Sequence, residues 1–250
     1  MTPMRRAVDI VVALVALLLS APLVLPVMAL IWLQDFRSPF YLPRRIGHGG
    51  KKFTMVKLRS MKPDADRNGV DSTVASDPRL TTIGKFVRAA KIDELPQFWN
   101  ILIGDMTLVG PRPNVERETR GYSEIEKGLF RVKPGITDFS SIVFADLAKI
   151  LEGARDANIA YNQLVRPWKS RLGLFYIDHA TPWVDIAVIA LTGIAIISKK
   201  TARNGVARML QRLGAPEDLI AISRRDTQLE PQAPPGFEHI IRRRKSGSPI

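Results

Sequence analysis

The 250-residue chain contains no cysteine. A disulfide framework, a thiol nucleophile and a thiolate metal site are therefore all excluded. Histidine is nearly as scarce: His48, His179 and His239 are the whole supply, too few and too scattered for a zinc site. No phosphate-binding Gly-rich loop with its lysine, and no dinucleotide-binding glycine turn, occurs anywhere in the chain, so the usual nucleoside triphosphatase and nicotinamide patterns do not apply. There is no internal repeat. Acidic residues are the minority charge, 24 against 37 Lys plus Arg, for a formal charge of +13. Chemistry must then come from carboxylates, arginines and lysines, and the excess cations suit nucleic acid, an anionic membrane surface or phosphorylated substrates. With 46% hydrophobic residues the chain is too apolar for a disordered basic tail. It is also too charged for a polytopic membrane protein.

From Ile10 to Leu33 there are 24 residues without a charge, preceded by Arg5 and Arg6. A bilayer-spanning helix needs about 20. A cleaved signal peptide would carry a shorter apolar region, about 7–15 residues. An ordinary spanning helix is the stronger alternative, and two features oppose it. Ser20, Pro22 and Pro26 interrupt the middle, where proline removes a backbone donor. In addition, Phe36 to Pro63 carries eight basic residues and no acid, which should hold that flank in the cytoplasm, while Arg5 and Arg6 ask the same of the other end. Both ends inside imply a re-entrant hairpin split at Ser20 to Pro22, with arms of roughly 18 Å, short of the roughly 30 Å hydrocarbon core.

Phe40–Leu42 and Phe53–Leu58, separated by Gly47, Gly49 and Gly50, predict a small β-hairpin. Ile83, Phe86, Val87 and Ala90 recur at helical spacing, and Leu95, Phe98, Trp99 and Leu102 form one face of a second helix that Gly104 ends. Val115–Phe130 has a polar helical pattern, broken by Lys133-Pro134-Gly135. Ile186–Ser198 is too short to span a membrane and suits an interfacial helix or a buried one. Beyond Thr201 apolar density falls and the sequence runs to Arg242-Arg243-Arg244-Lys245, which reads as a basic, partly disordered extension. The expected organisation is a membrane segment over 1–36, a domain over 37–202 and an extension over 203–250. The fold class is mainly α with a small β-hairpin, α+β.

Asp93 and Glu94 are adjacent carboxylates just before Pro96. Taken alone they are an ordinary helix start, since acids favour the N-terminal dipole and proline suits the first turn. Their neighbourhood alters that reading. Arg79, Lys85, Arg88 and Lys91 lie upstream, and Gly110-Pro111-Arg112-Pro113 lies downstream, where two prolines hold an arginine on a stiff backbone that can present its guanidinium to a phosphate. Carboxylates among fixed cations suit phosphoryl transfer, as nucleophile or metal ligand.

Several ordered runs carry a family resemblance: Arg45-Ile46-Gly47, Phe53 to Met61, Asp77-Pro78-Arg79-Leu80-Thr81, Gly84 to Arg88, Asp93-Glu94-Leu95-Pro96-Gln97, Asn100 to Met106, Val109 to Pro113, and Lys133-Pro134-Gly135-Ile136-Thr137. In this order they resemble the bacterial sugar transferases called monotopic phosphoglycosyl transferases, densely over residues 5–137 and more loosely over Tyr176 to Thr192. The resemblance implies a monotopic membrane protein with an N-terminal helix broken near Ser20 and Pro22, on the cytoplasmic face of a bacterial inner membrane. It implies transfer of a sugar 1-phosphate from a nucleotide diphosphate sugar, a UDP-sugar above others, to undecaprenyl phosphate, with release of nucleoside monophosphate and initiation of a surface glycan such as exopolysaccharide. Asp93 would be the nucleophile that forms a phosphosugar-aspartate. Glu94 would assist as acid/base or at a Mg²⁺ site shared with Asp93. Arg88 and Arg112 would contact phosphate, with Lys57, Arg59, Arg79 and Gln97 as further binding residues. The expected partners are the nucleotide-sugar donor, the polyprenyl phosphate lipid and the inner leaflet; a homodimer stays open and nucleic acid is not expected.

The chain departs from the family pattern at Pro43, Lys91, Gly173 and the run Asp138-Phe139-Ser140-Ser141-Ile142-Val143-Phe144-Ala145. The catalytic stretch is intact, whereas the part expected to shape the sugar and base pocket differs. A non-catalytic, membrane-anchored scaffold derived from the same family is the competing reading. Nucleic-acid binding ranks third, because the cations lack a recognised module or interleaved aromatics.

Overall fold

The computed structural model describes residues 2–65 and 77–242. Arg243, Arg244 and Lys245 of the basic run lie outside them. Among the described residues Pro3–Leu33 (α1) is the one helix long and apolar enough to cross a membrane, by length and composition. Thr2 caps its start and Pro3 occupies its first turn. The expected division into two arms is not observed: one helix of 31 residues runs through Ser20, Pro22 and Pro26. Ser20 Oγ donates to the carbonyl of Leu17 within that helix at 3.3 Å.

Both ends of α1 are fastened to the rest of the chain. Near the start, Arg5 donates to Val109 O and pairs with Asp185 at 3.0 Å, and Arg6 donates to Ile101 O and Leu102 O. One turn later the buried carboxylate of Asp9 accepts from Thr107 Oγ1 at 2.7 Å and Leu108 N at 3.2 Å. At the far end Val27 and Ile31 bury against Leu58, Val87 and Ile92. The opposite face, with Leu14, Leu18, Leu19, Leu23 and Leu25, is exposed.

The hairpin forms as its glycines and alternation predict. Phe40–Tyr41 (β1) pairs antiparallel with Lys57–Leu58 (β4), and inside that pair Arg44–Ile46 (β2) meets Lys52–Thr54 (β3). The two predicted helices follow as Thr82–Ala89 (α2) and Gln97–Ile103 (α3), the latter ended by Gly104 at φ 94°. Thr107–Val109 (β5) then pairs in parallel with Gly135–Thr137 (β6), Thr107 opposite Gly135 and Val109 opposite Thr137. Glycine is required at this crossing: a Cβ on Gly135 would sit 2.1 Å from Gly110 N, and one on Gly110 would sit 2.7 Å from Lys133 O. The predicted single helix over Val115–Phe130 is instead two short ones, Glu116–Thr119 (α4) and Glu124–Lys127 (α5), with a 3₁₀ turn after them.

Phe139–Val143 (α6), Leu147–Ile150 (α7) and Ala157–Ala160 (α8) lead into a π-helical turn and then Arg166–His179 (α9) and Pro182–Ile197 (α10). α10 buries Val184 and Val188 and exposes Ile186, Ile189, Ile196 and Ile197. It therefore has one face in the core and one exposed apolar face.

Over the described residues 203–242 the extension is not a loose tail. Lys199–Arg212 (α11) and Glu217–Arg224 (α12) are helical, and α11 runs through the expected 202/203 boundary. Ala202, Val206, Ala207 and Leu210 of α11 and Leu219 and Ile220 of α12 bury in the cluster that also holds Ile142, Leu172 and Ala13. Residues further on are tied down as well: Gln232 N donates to Gln163 O at 2.9 Å and Gln163 Nε2 to Ile241 O at 2.7 Å.

Candidate functional site

A left-handed turn aims the two adjacent carboxylates. Lys91, at φ 59°, reverses the chain after α2 and starts a single 3₁₀ turn, Ile92–Glu94. A side chain in that conformation is strained, so the surrounding packing must hold it. Ile92 does so from below, buried with Val87, Leu58 and Ile31, and Leu95 packs on the same cluster. Asp93 and Glu94 therefore lie between two apolar anchors.

Glu94 is gripped. Arg112, fixed between its two prolines just beyond β5, donates from both terminal nitrogens to the two carboxylate oxygens, each at 2.9 Å, and also to Ile136 O of β6 at 2.7 Å. This fork-to-fork pairing is the strongest geometry an arginine offers a carboxylate. Lys57 of β4 adds its ammonium 3.5 Å from Glu94 Oε1 and 3.9 Å from Asp93 Oδ2. Burial pushes the Glu94 carboxyl up, but Arg112 and Lys57 outweigh it and hold the group well below the ordinary carboxylate range.

Asp93 is in the opposite condition. It is 7% exposed, and its Oδ1 has no hydrogen-bond partner. Burial raises its pKa, Lys57 opposes the rise, and the charge of Glu94 adds to it. Lys57 itself is pushed down by burial, against the pull of Glu94. Two neighbouring carboxylates thus differ sharply: one is a locked anion and the other carries an open oxygen, the division of condition that acid, base and nucleophile roles exploit.

Of the residues singled out in the sequence, Asp93, Glu94, Lys57 and Arg112 come together. Arg88 lies close enough to lower the pKa of both Asp93 and Asp77. Gln97 is fully buried one turn beyond Asp93, with neither polar atom of its side chain bonded. Arg59 and Arg79 are placed elsewhere. Arg59 grips Asp35 and reaches Ile31 O, fastening the end of α1. Arg79 pairs with Asp77 and donates to Ala65 O at 3.1 Å. Both arginines are engaged with these structural partners rather than with Asp93 or Glu94.

On the other side of Arg112 a small cavity is lined by Pro111, Asn114, Asp138, Tyr161 and Lys169. Nothing in the sequence pattern singles out Lys169, which sits 57 residues beyond Arg112 on α9. Asp138, part of the atypical run, caps α6 by accepting from Ser141 N at 2.7 Å and also takes bonds from Ser140 Oγ. Gly173 belongs to the same region. A Cβ there would stand 2.8 Å from Leu129 Cδ2, so a larger residue would force the packing beside Pro111 to shift.

Among the described residues no group of three or more Asp, Glu, His or Cys converges as a ready metal cage. The fit to Mg²⁺ is of another kind, because this ion commonly takes only one or two carboxylates and completes its shell with phosphate oxygens and water. The orphaned Asp93 Oδ1 suits one such bond. Glu94, with both oxygens engaged by Arg112, would have to release one to join it.

The family model for bacterial sugar transferases matches residues 1–199. The chain is 33% identical over 202 residues to a UDP-N-acetylgalactosamine-undecaprenyl-phosphate N-acetylgalactosaminephosphotransferase of Aeromonas hydrophila, covering 80% of this chain and 45% of the relative. Over 148 residues it is 40% identical to the exopolysaccharide production protein ExoY of Rhizobium meliloti, covering 53% of this chain and 66% of that protein. A UDP-glucose:undecaprenyl-phosphate glucose-1-phosphate transferase of Escherichia coli is 32% identical over 192 residues, 76% of this chain and 39% of its own length. The chain thus spans between about two fifths and two thirds of these three relatives' own lengths.

Proposed function

The chain belongs to the bacterial sugar transferase family, and from that we propose that it moves a sugar 1-phosphate from a UDP-sugar to undecaprenyl phosphate, the first step of a surface glycan. The observation that carries the proposal is the contrast within the carboxylate pair: Glu94 is held by Arg112, while Asp93 Oδ1 is buried and unbonded.

In this reading Asp93 attacks the phosphorus next to the sugar. The Asp93–phosphorus bond forms, the bond to the bridging oxygen breaks, and nucleoside monophosphate leaves with that oxygen and the electron pair. Undecaprenyl phosphate then displaces the aspartate. Lys57 lies between both carboxylates and keeps the attacking group in its anionic form against the cost of burial. Glu94, anchored by Arg112, fixes the turn that aims Asp93. Mg²⁺ would be held by Asp93 and the donor phosphates, with Glu94 as a second ligand on release from Arg112. When bound it would offset phosphate charge.

For the membrane we propose that α1 enters and leaves the bilayer by one face, the cytoplasmic face of the inner membrane. Supporting this, Arg5 and Asp9 near its start and Ile31 and Asp35 at its end all bind the same domain, while the leucines between them face outward. A helix crossing to the far side could not return its end to the domain it started from. A cysteine introduced at Gly50 or Lys51 should resist labelling from the periplasm; efficient labelling would refute this topology.

The scaffold alternative rested on the atypical run from Asp138, yet that run forms a capped helix with Phe139, Ile142 and Val143 buried. The deciding experiment incubates the purified protein with labelled UDP-sugars and undecaprenyl phosphate. Wild type should release nucleoside monophosphate and form an acid-trappable phosphosugar adduct, and Asp93→Asn should do neither. Unchanged turnover in Asp93→Asn would remove the aspartate from the mechanism.

A further inference from the structure

The positive charge nearest the carboxylates is already spent. Lys57 and Arg112 contact Asp93 and Glu94 directly, with Arg88 and Lys91 acting on Asp93 from farther off, and both terminal nitrogens of Arg112 are bonded to Glu94. A donor diphosphate adds two negative charges, and when the bridging bond breaks the charge that Asp93 gives up appears on the departing phosphate, which becomes a dianion. Beside the Mg²⁺ proposed above, such charge calls for a protein cation that is not yet paired.

Lys169 meets that need. It lines the cavity on the far side of Arg112, together with Asn114 and Asp138. Among the described residues it makes no ion pair and no hydrogen bond; its ammonium stands 5.6 Å from the centre of the Tyr161 ring. Asp138 is the nearest counter-charge, but its oxygens take hydrogen bonds from Ser140 and Ser141. Burial lowers the Lys169 pKa, Asp138 raises it, and Arg112 lowers it further, so the two cations sense one another across the cavity.

Building on the transferase reading, we propose that Lys169 binds the phosphate that departs with the nucleoside, with Arg112 between it and the attacked phosphorus. As the bridging bond breaks, the electron pair stays on the oxygen that leaves, and Lys169 faces the resulting monophosphate dianion. No proton need move. A phosphate is the ligand that an unpaired ammonium in a polar cavity beside Arg112 selects, the carboxylate of Asp138 there being occupied by Ser140 and Ser141. The donor's nucleoside phosphate and the lipid phosphate share that chemistry, and the two half-reactions separate them.

The test uses detergent-purified full chain carrying Lys169→Met or Lys169→Arg, with uridine monophosphate as the binding probe and two half-reactions measured apart. Loss of one charge-assisted contact should weaken uridine monophosphate binding about 10- to 100-fold in Lys169→Met. Adduct formation from donor should fall by a similar factor, while discharge of a preformed adduct to undecaprenyl phosphate stays near wild type. Lys169→Arg should recover most of the loss, which separates charge from packing. Unaltered probe binding in Lys169→Met overturns the proposal, as does equal failure of Lys169→Arg. Loss confined to the discharge step also overturns it, by assigning Lys169 to the lipid phosphate. If wild type itself forms no adduct and releases no monophosphate from any donor, the transferase reading falls and this proposal falls with it.

Discussion

Arg112 holds both oxygens of Glu94 at 2.9 Å and, through Ile136 O, ties that grip to the parallel strand pair β5–β6. The carboxylate beside Asp93 is thereby referenced to a tightly packed backbone crossing, where two glycines let the chains touch. Lysine cannot reproduce a planar two-pronged contact. Arg112→Lys should lower kcat/KM for donor about 100-fold, roughly 2.7 kcal/mol of transition-state stabilisation, with the melting temperature in detergent lowered only slightly. A variant that keeps full activity would detach the grip on Glu94 from catalysis.

The raised pKa of Asp93 has a kinetic signature. Attack requires the ionised carboxylate, so the rate of monophosphate release should decline on the acid side at a pH above the ordinary aspartate value of 3.8. Lys57 opposes that rise, and removing it must raise the pKa further. In Lys57→Gln the acid limb should move to higher pH; a limb that stays in place, or moves down, contradicts the assignment. Glu94 has the reverse sign. Its folded value is depressed, so its contribution to stability is fully present above about pH 4.5 and is lost as pH falls below that toward the folded value.

The C-terminal helices are a test of what the fold needs. Leu210 is fully buried in the cluster shared with Ile142 and Leu172. Leu210→Ala should cost about 2–5 kcal/mol, read as a lower melting temperature and a lower denaturant midpoint. An effect below about 1 kcal/mol, the size expected at a surface position, would mean that α11 is peripheral after all.

Local chemistry made much of this fold legible. The glycine-tipped hairpin, the helices around Val87 and Leu102, the stop at Gly104 and the pairing of Asp93 with nearby cations all follow from spacing and residue type. Three things did not. The α11 spacing, Ala202, Val206, Ala207 and Leu210, was visible, but the arginines and glutamine on its outer face dominated the composition and suggested disorder. Proline argued for a break in α1, yet helical geometry continues through Pro22 and Pro26, since proline forbids a donor without forcing a stop. Asp9 acts on Thr107 and Leu108, about a hundred residues away, and Lys169 reaches the cavity beside Arg112 from a separate helix; no local pattern encodes such placement. The pairing of Arg59 with Asp35, 24 residues back, went unread for the same reason.

The bed beneath Ile92 has a further meaning. The residue before the nucleophile rests on Val27 and Ile31 of α1, the helix proposed to lie in lipid. Catalytic height above the hydrocarbon is then a property of one side-chain stack, like the fixed stop on a marking gauge. With α1 entering and leaving by one face, as proposed, thickening or thinning the bilayer would leave that distance alone. In that reading a lipid phosphate would meet a reaction plane set by the protein, at a depth the membrane does not choose.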